Sequence, residues 1–388
     1  RKVPGGKSAG RVQSPAVRLL VEREREIQSY EGSTEFKLTG DFTTSTGDDL
    51  KAESPTRYDS EDDARSFLES LIGASFTIGD VATHPASRNP GAPFTTSTLQ
   101  QDAASRLGFS VKATMTSAQR LYQAGKITYM RTDSVNLAPE ALAAMSSYIQ
   151  KEYGPDYHQY RTFKTKSASA QEAHEAIRPT DPSLEVASSD EYEQKLYNLI
   201  RTRTLASQMA SAKLERTTAK IAISTSKEVF EAKGEVILFP GFLKVYGASK
   251  KDVAILPPLS SGDKLDLVEA TAKQIFSRPP ARYSEGSLVK KLEELGIGRP
   301  STYATIISTI QDRGYAEKGE GEGEPRDVIV LTLKSGALQR SVEQEKTGSD
   351  RGKLVPTPSG GVVADFLGKH FEQIVDYDFT AKVEKEFD

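Results

Sequence analysis

Residues 119–134 read QRLYQAGKITYMRTDS, in which Gly125 ends a helical run before a short extended stretch from Ile127 to Arg131. Glycine is favoured after a helix because it adopts a positive φ without steric cost. Side chains two residues apart in an extended chain share a face, so Tyr129 and Arg131 are expected to point the same way. A tyrosine hydroxyl, with a pKa of about 10, is a poor nucleophile at neutral pH. A neighbouring guanidinium favours the phenolate and can hold a phosphate, which makes the pair a candidate for nucleophilic attack on phosphorus.

The pattern Tyr-x-Arg is not specific by itself. A buried tyrosine on a strand beside a surface arginine, with no reactive role, is the alternative interpretation of Tyr129 and Arg131. The wider sequence is needed to choose between them.

The region around this stretch, residues 89–214, is predicted to be mostly helical. Pro139 stands where a helix begins, and a longer helix is expected from about Asp190. Two pairs have the spacing of a capping box: Ser97 with Gln100, and Thr116 with Gln119.

Strand-like alternation of apolar and polar residues lies on both sides of this helical region. The stretches are Phe36 to Phe42, Thr217 to Ile223, Val236 to Leu238 and Lys264 to Val268. We expect these two blocks to pair into one β-rich domain that the helical region interrupts.

The last block begins with two predicted helices, Ser284 to Leu295 and Ser301 to Arg313, separated by five residues that include Arg299. A strand near Val328 to Leu333 follows an acidic, glycine-rich loop. This order indicates a helix-turn-helix of the winged-helix kind. In a duplex reader, the start of the second helix faces DNA. The residues concerned are Arg299, Ser301, Thr302 and Tyr303.

Composition sets outer limits on the function. A chain of 388 residues is long enough for two to four domains. We expect no signal peptide, and the sequence has no apolar run near the ~18 residues of a membrane span. Cysteine is absent, which excludes disulfides and thiolate zinc sites in this sequence and fits a reducing cytoplasm. The first residue is Arg1 and the last is Asp388, in a charged helical stretch, so we expect a piece of a longer chain.

Charge is distributed unevenly. The net charge of −3 does not by itself favour a nucleic-acid partner. Residues 1–25, however, contain seven basic and two acidic side chains, and a second basic region spans Lys273 to Arg313. A basic groove on a near-neutral protein is one interpretation, and an ordinary solvated charged face is the other.

Four motifs together carry a resemblance to the bacterial type IA DNA topoisomerases. Besides residues 119–134, they are SAGRVQS at Ser8 to Ser14, EAHEAIRP at Glu172 to Pro179, and GIGRPSTYA at Gly296 to Ala304 with QDRGY at Gln311 to Tyr315. They stand in the family's order and extend over nearly the whole chain. Pro300, Ser301 and Thr302 indicate the topoisomerase I branch rather than topoisomerase III or reverse gyrase.

The resemblance implies that Tyr129 attacks a phosphodiester of single-stranded DNA and leaves a 5′-phosphotyrosine and a free 3′-hydroxyl. Another strand passes through the gap before religation. The family relaxes negatively supercoiled DNA without ATP. Arg131 would stabilise the scissile phosphate and the phenolate, and Gln119 and Asp133 would orient this shell.

Further roles follow from the same resemblance. Arg11 and Gln13 would bind the strand near the scissile site. Phosphate contacts would come from Arg299, Ser301, Thr302 and Arg313. His174 has two interpretations, a proton relay or phosphate contact near the catalytic pocket and a helix-end histidine with a structural partner.

The family's Mg²⁺ ligands belong to an N-terminal Toprim domain that we expect to precede Arg1. No metal ligands are predicted in this sequence, and the pair Asp376 and Asp378 is interpreted as structural. The given sequence has no cysteine, so we expect none of the family's C-terminal zinc ribbons within it. We therefore expect this chain alone to bind single-stranded DNA without cleaving or relaxing it.

The expected fold is α+β and multidomain, an open ring of three domains. Residues 1–34 and 279–388 would form a helical base with the winged-helix-like unit, residues 35–88 and 215–278 a β-rich arch, and residues 89–214 the helical domain bearing Tyr129. The protein is expected to be a cytoplasmic, nucleoid-associated monomer. Two alternatives remain open, a winged-helix module that binds duplex DNA without catalysis and a scaffold with no nucleic-acid role.

Overall fold

The computed structural model describes Gly10 and residues 12–164, 174–247 and 255–386. Its α-helices are α1 (Gln13–Gln28), α2 (Glu61–Ser70), α3 (Thr96–Asp102), α4 (Val111–Gln123), α5 (Pro139–Tyr153), α6 (Glu191–Ser207), α7 (Glu285–Glu294), α8 (Tyr303–Asp312), α9 (Pro358–His370), α10 (Glu372–Val375) and α11 (Tyr377–Glu386). Its strands are β1 (Thr34–Thr44), β2 (Asp49–Tyr58), β3 (Phe76–Arg88), β4 (Ala212–Ile223), β5 (Val229–Phe239), β6 (Lys264–Phe276), β7 (Ala316–Lys318), β8 (Glu324–Lys334), β9 (Ala337–Thr347) and β10 (Leu354–Pro356). This mixture confirms the predicted α+β class.

Six antiparallel strands close into a ring-like sheet. Their order is β1-β2-β5-β4-β3-β6, and β6 pairs again with β1 along nearly its whole length. Strands from before and after the helical insertion therefore share one sheet. The closing pair joins Phe36 to Gln274, residues far apart in the chain, and this long-range pairing has no local sequence signal.

Aromatic side chains form much of the hydrophobic core that this sheet encloses. Phe42 is 1% exposed and packs edge-on against Phe76 and Phe230, with ring centroids 5.3 Å and 5.4 Å away. Helix α2 covers one end, where the Phe67 ring lies 6.1 Å from that of Phe230. Offset and edge-on packing suits the charge distribution of aromatic rings and adds to the free energy of apolar burial.

The hairpin β8–β9 extends the sheet from β6. The sequence placed these strands in the helical base, but Val330 to Lys334 pair with Glu269 to Lys273 of β6. The reason is that β3 covers only the first residues of β6 on that edge, through Phe76 and its neighbour. The rest of β6 would otherwise expose unpaired backbone groups.

The helical insertion is mounted on an extension of the same sheet. Strands β3 and β4 run paired to the pair Arg88 and Ala212, where the chain enters and leaves the insertion, and β5 pairs with β4 beside them. After β5, a 3₁₀ turn (Gly241–Lys244) packs on the insertion, and the Phe242 N–H donates to the Ala210 carbonyl at 2.8 Å. Residues 241–246, which the sequence assigned to the arch, thus pack with the insertion. The bounds of the three domains and the open ring stay predictions.

Helix ends were predicted with mixed success. The end of α4 near Gly125, which has a φ of 70°, the start of α5 at Pro139 and the Asp190 cap of α6 are confirmed. Both predicted capping boxes are wrong. Helix α4 begins at Val111 and is capped by Ser110, whose hydroxyl accepts the Ala113 N–H, so Thr116 lies in the middle of the helix. Helix α3 has its capping box two residues earlier, between Thr95 and Thr98.

The helix-turn-helix is present as α7 and α8 in the base, beside α1 and α9. Helix α8 begins at Tyr303, two residues later than predicted, because the Thr302 side chain is used in the preceding turn. Its hydroxyl accepts the Arg299 N–H at 2.8 Å. Of the helices in the described ranges, none combines the length and apolar character that a membrane span needs.

Candidate active site

The stretch from Gly125 to Ala138, here called the Tyr129 loop, is fixed on one side by the start of α3. The Thr96 hydroxyl donates to the Met130 carbonyl at 2.7 Å and accepts the Thr132 N–H at 2.8 Å. The Thr96 N–H donates to the Thr132 carbonyl at 2.9 Å. Thr96 is fully buried, so these bonds form away from solvent.

A second segment, residues 176–180, fixes the opposite side of the loop. The Thr128 N–H donates to the Arg178 carbonyl at 2.9 Å, and the Arg178 N–H donates back to the Thr128 hydroxyl at 2.9 Å. The only ladder contact in the described part of the loop is an isolated bridge between Ile127 and Pro179. The stretch is therefore an irregular segment rather than a β-strand. Two sets of hydrogen bonds hold its backbone, one at Thr96 and one between Thr128 and Arg178, and we call them the two clasps.

These clasps leave two side chains outside. Ile127 and Met130 point into the core, whereas Tyr129 is 47% exposed and Arg131 is also exposed. The Tyr129 ring contacts the ring of Tyr122, from the last turn of α4, edge-on with centroids 5.3 Å apart. The phenol thus stands at the surface on a backbone that is held in place.

The histidine motif borders this loop. His174 is exposed, and its role stays a prediction. Glu175 is structural, since its carboxylate binds the Arg178 guanidinium at 2.8 Å and accepts the Ala138 N–H at 2.6 Å. These bonds tie the segment carrying His174 to the far end of the Tyr129 loop.

The loop and the helix-turn-helix meet at a buried tyrosine. Tyr303 is 5% exposed, so the expectation that it faces DNA is wrong. Burial raises the pKa of the Tyr303 hydroxyl, the negative charges of Glu293 and Asp133 act in the same direction, and the Arg299 charge opposes them. Asp133 and Arg299, predicted from separate motifs, therefore lie near the same side chain.

The turn before α8 is held by the last helix. The Arg299 guanidinium donates to the Gly298 carbonyl at 2.9 Å and approaches the Glu384 carboxylate of α11 at 3.4 Å. The same carboxylate accepts the Gly298 N–H. Ser301 is exposed on this turn and Thr302 is half-buried.

A second pair of predicted contacts meets at the other end of α8. The Arg313 guanidinium donates to the Gln13 side-chain carbonyl. Helix α8 has 10 residues and so spans about 15 Å between this pair and Arg299. Gln119 is half-buried on α4, one turn before Tyr122. Arg11, like Ser8, Ala9, Glu172 and Ala173 of the quoted motifs, lies outside the described residues.

The described residues do not fit a magnesium site. Nowhere in those ranges do His, Asp and Glu side chains form a group of three or more that could hold a metal ion. Mg²⁺ prefers several oxygen ligands in an octahedral arrangement. In the pair Asp376 and Asp378, the Asp376 carboxylate accepts the Phe379 N–H at 2.6 Å at the start of α11.

Sequence patterns missed two residues of this site. Thr96 lies in a run of threonines and serines, residues 95–98, which is ordinary at the start of a helix. Tyr122 lies within the quoted stretch, but its contact with Tyr129 depends on the chain turning at Gly125. Neither residue had a signal separable from local structure.

Comparisons with known proteins identify the family. A family model described as DNA topoisomerase matches residues 2–328. DNA topoisomerase 1 of Zymomonas mobilis is 42% identical over 411 residues, covering 100% of this chain and 31% of that protein. The Escherichia coli DNA topoisomerase 1 is 40% identical over 404 residues, covering 100% of this chain and 42% of that protein.

A solved structure extends the likeness to the fold. The full-length topoisomerase I of Thermotoga maritima matches with a TM-score of 0.78 and 31% identity, covering 98% of this chain and 59% of that one. This chain thus spans less than two thirds of each of these relatives. Since the family model matches most of its length, the chain belongs to the type IA DNA topoisomerase family.

Proposed function

We propose that this chain is the strand-passage body of a topoisomerase and that Tyr129 is its nucleophile. One observation carries the proposal: an exposed tyrosine beside an exposed arginine on a loop whose backbone is clasped from both sides. A nucleophile must be accessible to its substrate and also held in a productive orientation. Tyr129 meets the first condition through its exposure and the second through the clasps at Thr96 and Arg178.

The proposed reaction is a transfer of one phosphodiester. The Tyr129 hydroxyl oxygen forms a bond to phosphorus and loses its proton, while the bond from phosphorus to the 3′-oxygen breaks and that oxygen takes up a proton. Religation is the reverse. The phosphodiester is exchanged rather than hydrolysed, so ATP is not needed. Arg131 holds the phosphate oxygens, because a guanidinium donates charge-assisted hydrogen bonds.

The DNA strand would follow α8. Arg299 and Ser301 stand just before its start, and Arg313 with Gln13 stands at its end. Hydroxyl and guanidinium groups are common partners of phosphate oxygens. The substrate we propose is single-stranded DNA in a negatively supercoiled duplex, acted on by a monomer.

The family's Mg²⁺ is not assigned to this chain. We propose that its ligands lie in sequence outside the given 388 residues, as the resemblance to Toprim-containing enzymes implies. Metal bound beside the scissile phosphate supplies charge stabilisation during phosphoryl transfer. The given chain alone is therefore proposed to bind single-stranded DNA but not to relax supercoiled plasmid.

The direct test uses the full-length gene product and a single-stranded oligonucleotide labelled at one end. Attachment through a 5′-phosphotyrosine joins the protein to the fragment that carries the 3′ label. The 5′-labelled fragment leaves with a free 3′-hydroxyl. We expect a protein-linked band with the 3′ label alone.

The variants make this test specific. Tyr129→Phe is expected to remove the protein-linked band, whereas Tyr192→Phe, at a tyrosine 56% exposed on α6, should leave it intact. A band that survives in Tyr129→Phe, or that carries the 5′ label, would overturn the assignment.

The winged-helix alternative explains α7 and α8 but gives no role to the clasped Tyr129 loop. The two functions differ in the expected DNA preference of this chain. Tighter binding of a single-stranded oligonucleotide than of its duplex supports the topoisomerase body, and the reverse order supports the duplex reader. Binding by either should weaken with salt, because phosphate contacts release counterions. The absence of any DNA binding would favour a scaffold.

A further inference from the structure

One buried carboxylate joins the helical insertion to the base. Glu285, in the first turn of α7, is 7% exposed, and its Oε2 accepts the N–H of Val111 at 2.6 Å. Val111 is the first residue of α4, the helix that carries Gln119 and leads into the Tyr129 loop. A negative charge at a helix N-terminus is favourable, because the first N–H groups of the helix lack partners within it.

The other oxygen of this carboxylate faces the base. Glu285 Oε1 accepts the side-chain amide of Gln311, near the end of α8, at 3.2 Å. It also lies 3.1 Å from the Lys318 ammonium group of β7. One carboxylate therefore connects the start of α4 with helix α8 and strand β7. A buried charge is costly to leave without partners, so this set of contacts favours a single arrangement.

The remaining contacts along α7 are weaker or nonpolar. Near its other end, the Ser97 hydroxyl of α3 donates to the Glu293 carboxylate at 2.7 Å, but Glu293 is exposed. Between the two carboxylates, Gly286 lies so close to α3 that a Cβ there would come within 3.1 Å of the Gln101 Cα. The backbones are thus in close contact, and Glu285 is the buried polar connection.

We propose that Glu285 is a positioning residue, which fixes α4 and the Tyr129 loop relative to the phosphate contacts of α8 in the closed state. This inference rests on the proposed function of Tyr129 and α8. If, as the proposed strand passage requires, the insertion separates from the base, Glu285 exchanges the Val111 N–H for water each time the two part. Its side chain acts through α4 and does not contact DNA.

The first test measures geometry and needs no activity. The sequence has no cysteine, so spin labels can be attached at Ser147→Cys on α5 and Lys290→Cys on α7, both exposed. Double electron–electron resonance is expected to give one narrow distance distribution for the otherwise unchanged chain. Glu285→Ala should broaden it or add a longer distance. Glu285→Gln keeps an acceptor for the Val111 N–H and should stay narrow.

The control is Glu294→Ala, which removes an exposed carboxylate from the same helix and should change nothing. An unchanged distribution in Glu285→Ala would overturn the proposal. So would an equal broadening in Glu294→Ala, because that would show a general sensitivity of α7.

The second test uses formation of the protein-linked DNA band by the full-length gene product. We expect Glu285→Ala to slow this step at saturating oligonucleotide by at least about tenfold, a barrier change of about 1.4 kcal/mol. Half-saturation should change by less than about twofold, and Glu285→Gln should restore most of the rate. A loss in Glu285→Ala that Glu285→Gln does not rescue, or a weakening of DNA binding alone, would contradict a positioning role.

The two proposals fail in different ways. If Tyr129→Phe still forms the band, the proposed function is wrong whatever the distance distributions show. If Tyr129→Phe fails to form it while Glu285→Ala behaves as the unchanged protein in both tests, only the positioning role is wrong.

Discussion

The closed sheet and the Tyr129 loop are held by opposite kinds of interaction. In the sheet, Phe42 and its aromatic neighbours exclude water, and no predicted site residue lies among them. In the loop, the hydroxyls of Thr96 and Thr128 bind backbone groups while Tyr129 faces solvent. Apolar burial contributes most of the free energy of folding, whereas a hydrogen bond contributes little net stability but strict geometry. The sheet therefore supplies stability, and the loop supplies the position of the phenol.

The largest change in stability is expected from a cavity among the aromatic side chains of the sheet. Phe42→Ala is expected to lower the free energy of unfolding by about 3–5 kcal/mol, because buried ring contacts are lost and a cavity remains. Denaturant unfolding followed by circular dichroism measures the change. Phe371→Ala, at an exposed ring, is the control and should stay near the parent value. A Phe42→Ala loss below about 1 kcal/mol would mean that the sheet repacks freely.

A smaller effect is expected at the clasp. Thr96→Val keeps the shape of the side chain but removes the hydroxyl, leaving the Thr132 N–H without its buried acceptor. The expected cost is about 1–3 kcal/mol of unfolding free energy. Hydrogen exchange of the Thr132 amide should also become faster. Thr116→Val, at an exposed position on α4, should alter neither quantity, and equal effects at both sites would contradict a specific clasp.

Substitution of Arg131 is expected to lower the rate of DNA cleavage without lowering the stability of the protein. Arg131→Gln removes an exposed charge, so the free energy of unfolding is expected to stay within about 0.5 kcal/mol of the parent value. Loss of a charge-assisted hydrogen bond to phosphate costs about 1.5–3 kcal/mol, which corresponds to a cleavage rate about 10- to 150-fold lower. Single-turnover formation of the protein-linked band by the full-length gene product measures this rate. If Arg131→Gln is destabilised but cleaves at the normal rate, Arg131 has a structural role and does not contact the phosphate.

The smallest effect concerns the hairpin β8–β9. The Arg340 hydrogen bond at 2.7 Å lowers the pKa of the Glu61 carboxyl on α2, and the Arg340 charge acts in the same direction. A carboxyl whose pKa is lowered by folding stabilises the protein above its unfolded pKa, and this contribution is lost as pH falls through the folded pKa. Arg340→Gln should therefore raise the Glu61 pKa in an NMR titration and destabilise slightly at neutral pH. At a pH low enough to protonate Glu61 in both proteins, that difference should vanish, and a difference that persists there would exclude this ion pair as its cause.

Local signals in the sequence were sufficient for much of the fold. Gly125, Pro139 and Asp190 mark helix ends through backbone preferences that act within a few residues, and the structure has those ends. Strand β2 was missed because only Leu50 on its buried face is large, whereas Ala52 and Ser54 are small and Pro55 follows them. The closure of the sheet by β1 and β6 was beyond prediction in register, since it joins segments more than two hundred residues apart.

The candidate site divides in the same way. Tyr129 and Arg131 were proposed from their spacing and from the resemblance, and the structure exposes both. Tyr303 stood in the same motif as Arg299, but the helix begins at Tyr303 itself and turns its ring inward. Thr96 and Glu285 act through partners more than twenty-five residues away, and threonine or glutamate near a helix start is too common to single out.

Strands β3, β4 and β5 form a three-stranded ribbon that connects the helical insertion to the closed sheet. This connection limits how the insertion can move away from the base. A domain attached through adjacent, paired strands resists stretching, because extension would break several backbone hydrogen bonds at once, whereas bending and twisting the ribbon break few. The helical insertion is therefore expected to move by bending and twisting about these strands, as a hinge motion. Such a motion returns it to the same contact surface on the base. If Tyr129 forms the proposed phosphotyrosine, this restricted motion would return it to a cleaved strand end that stays bound to the base.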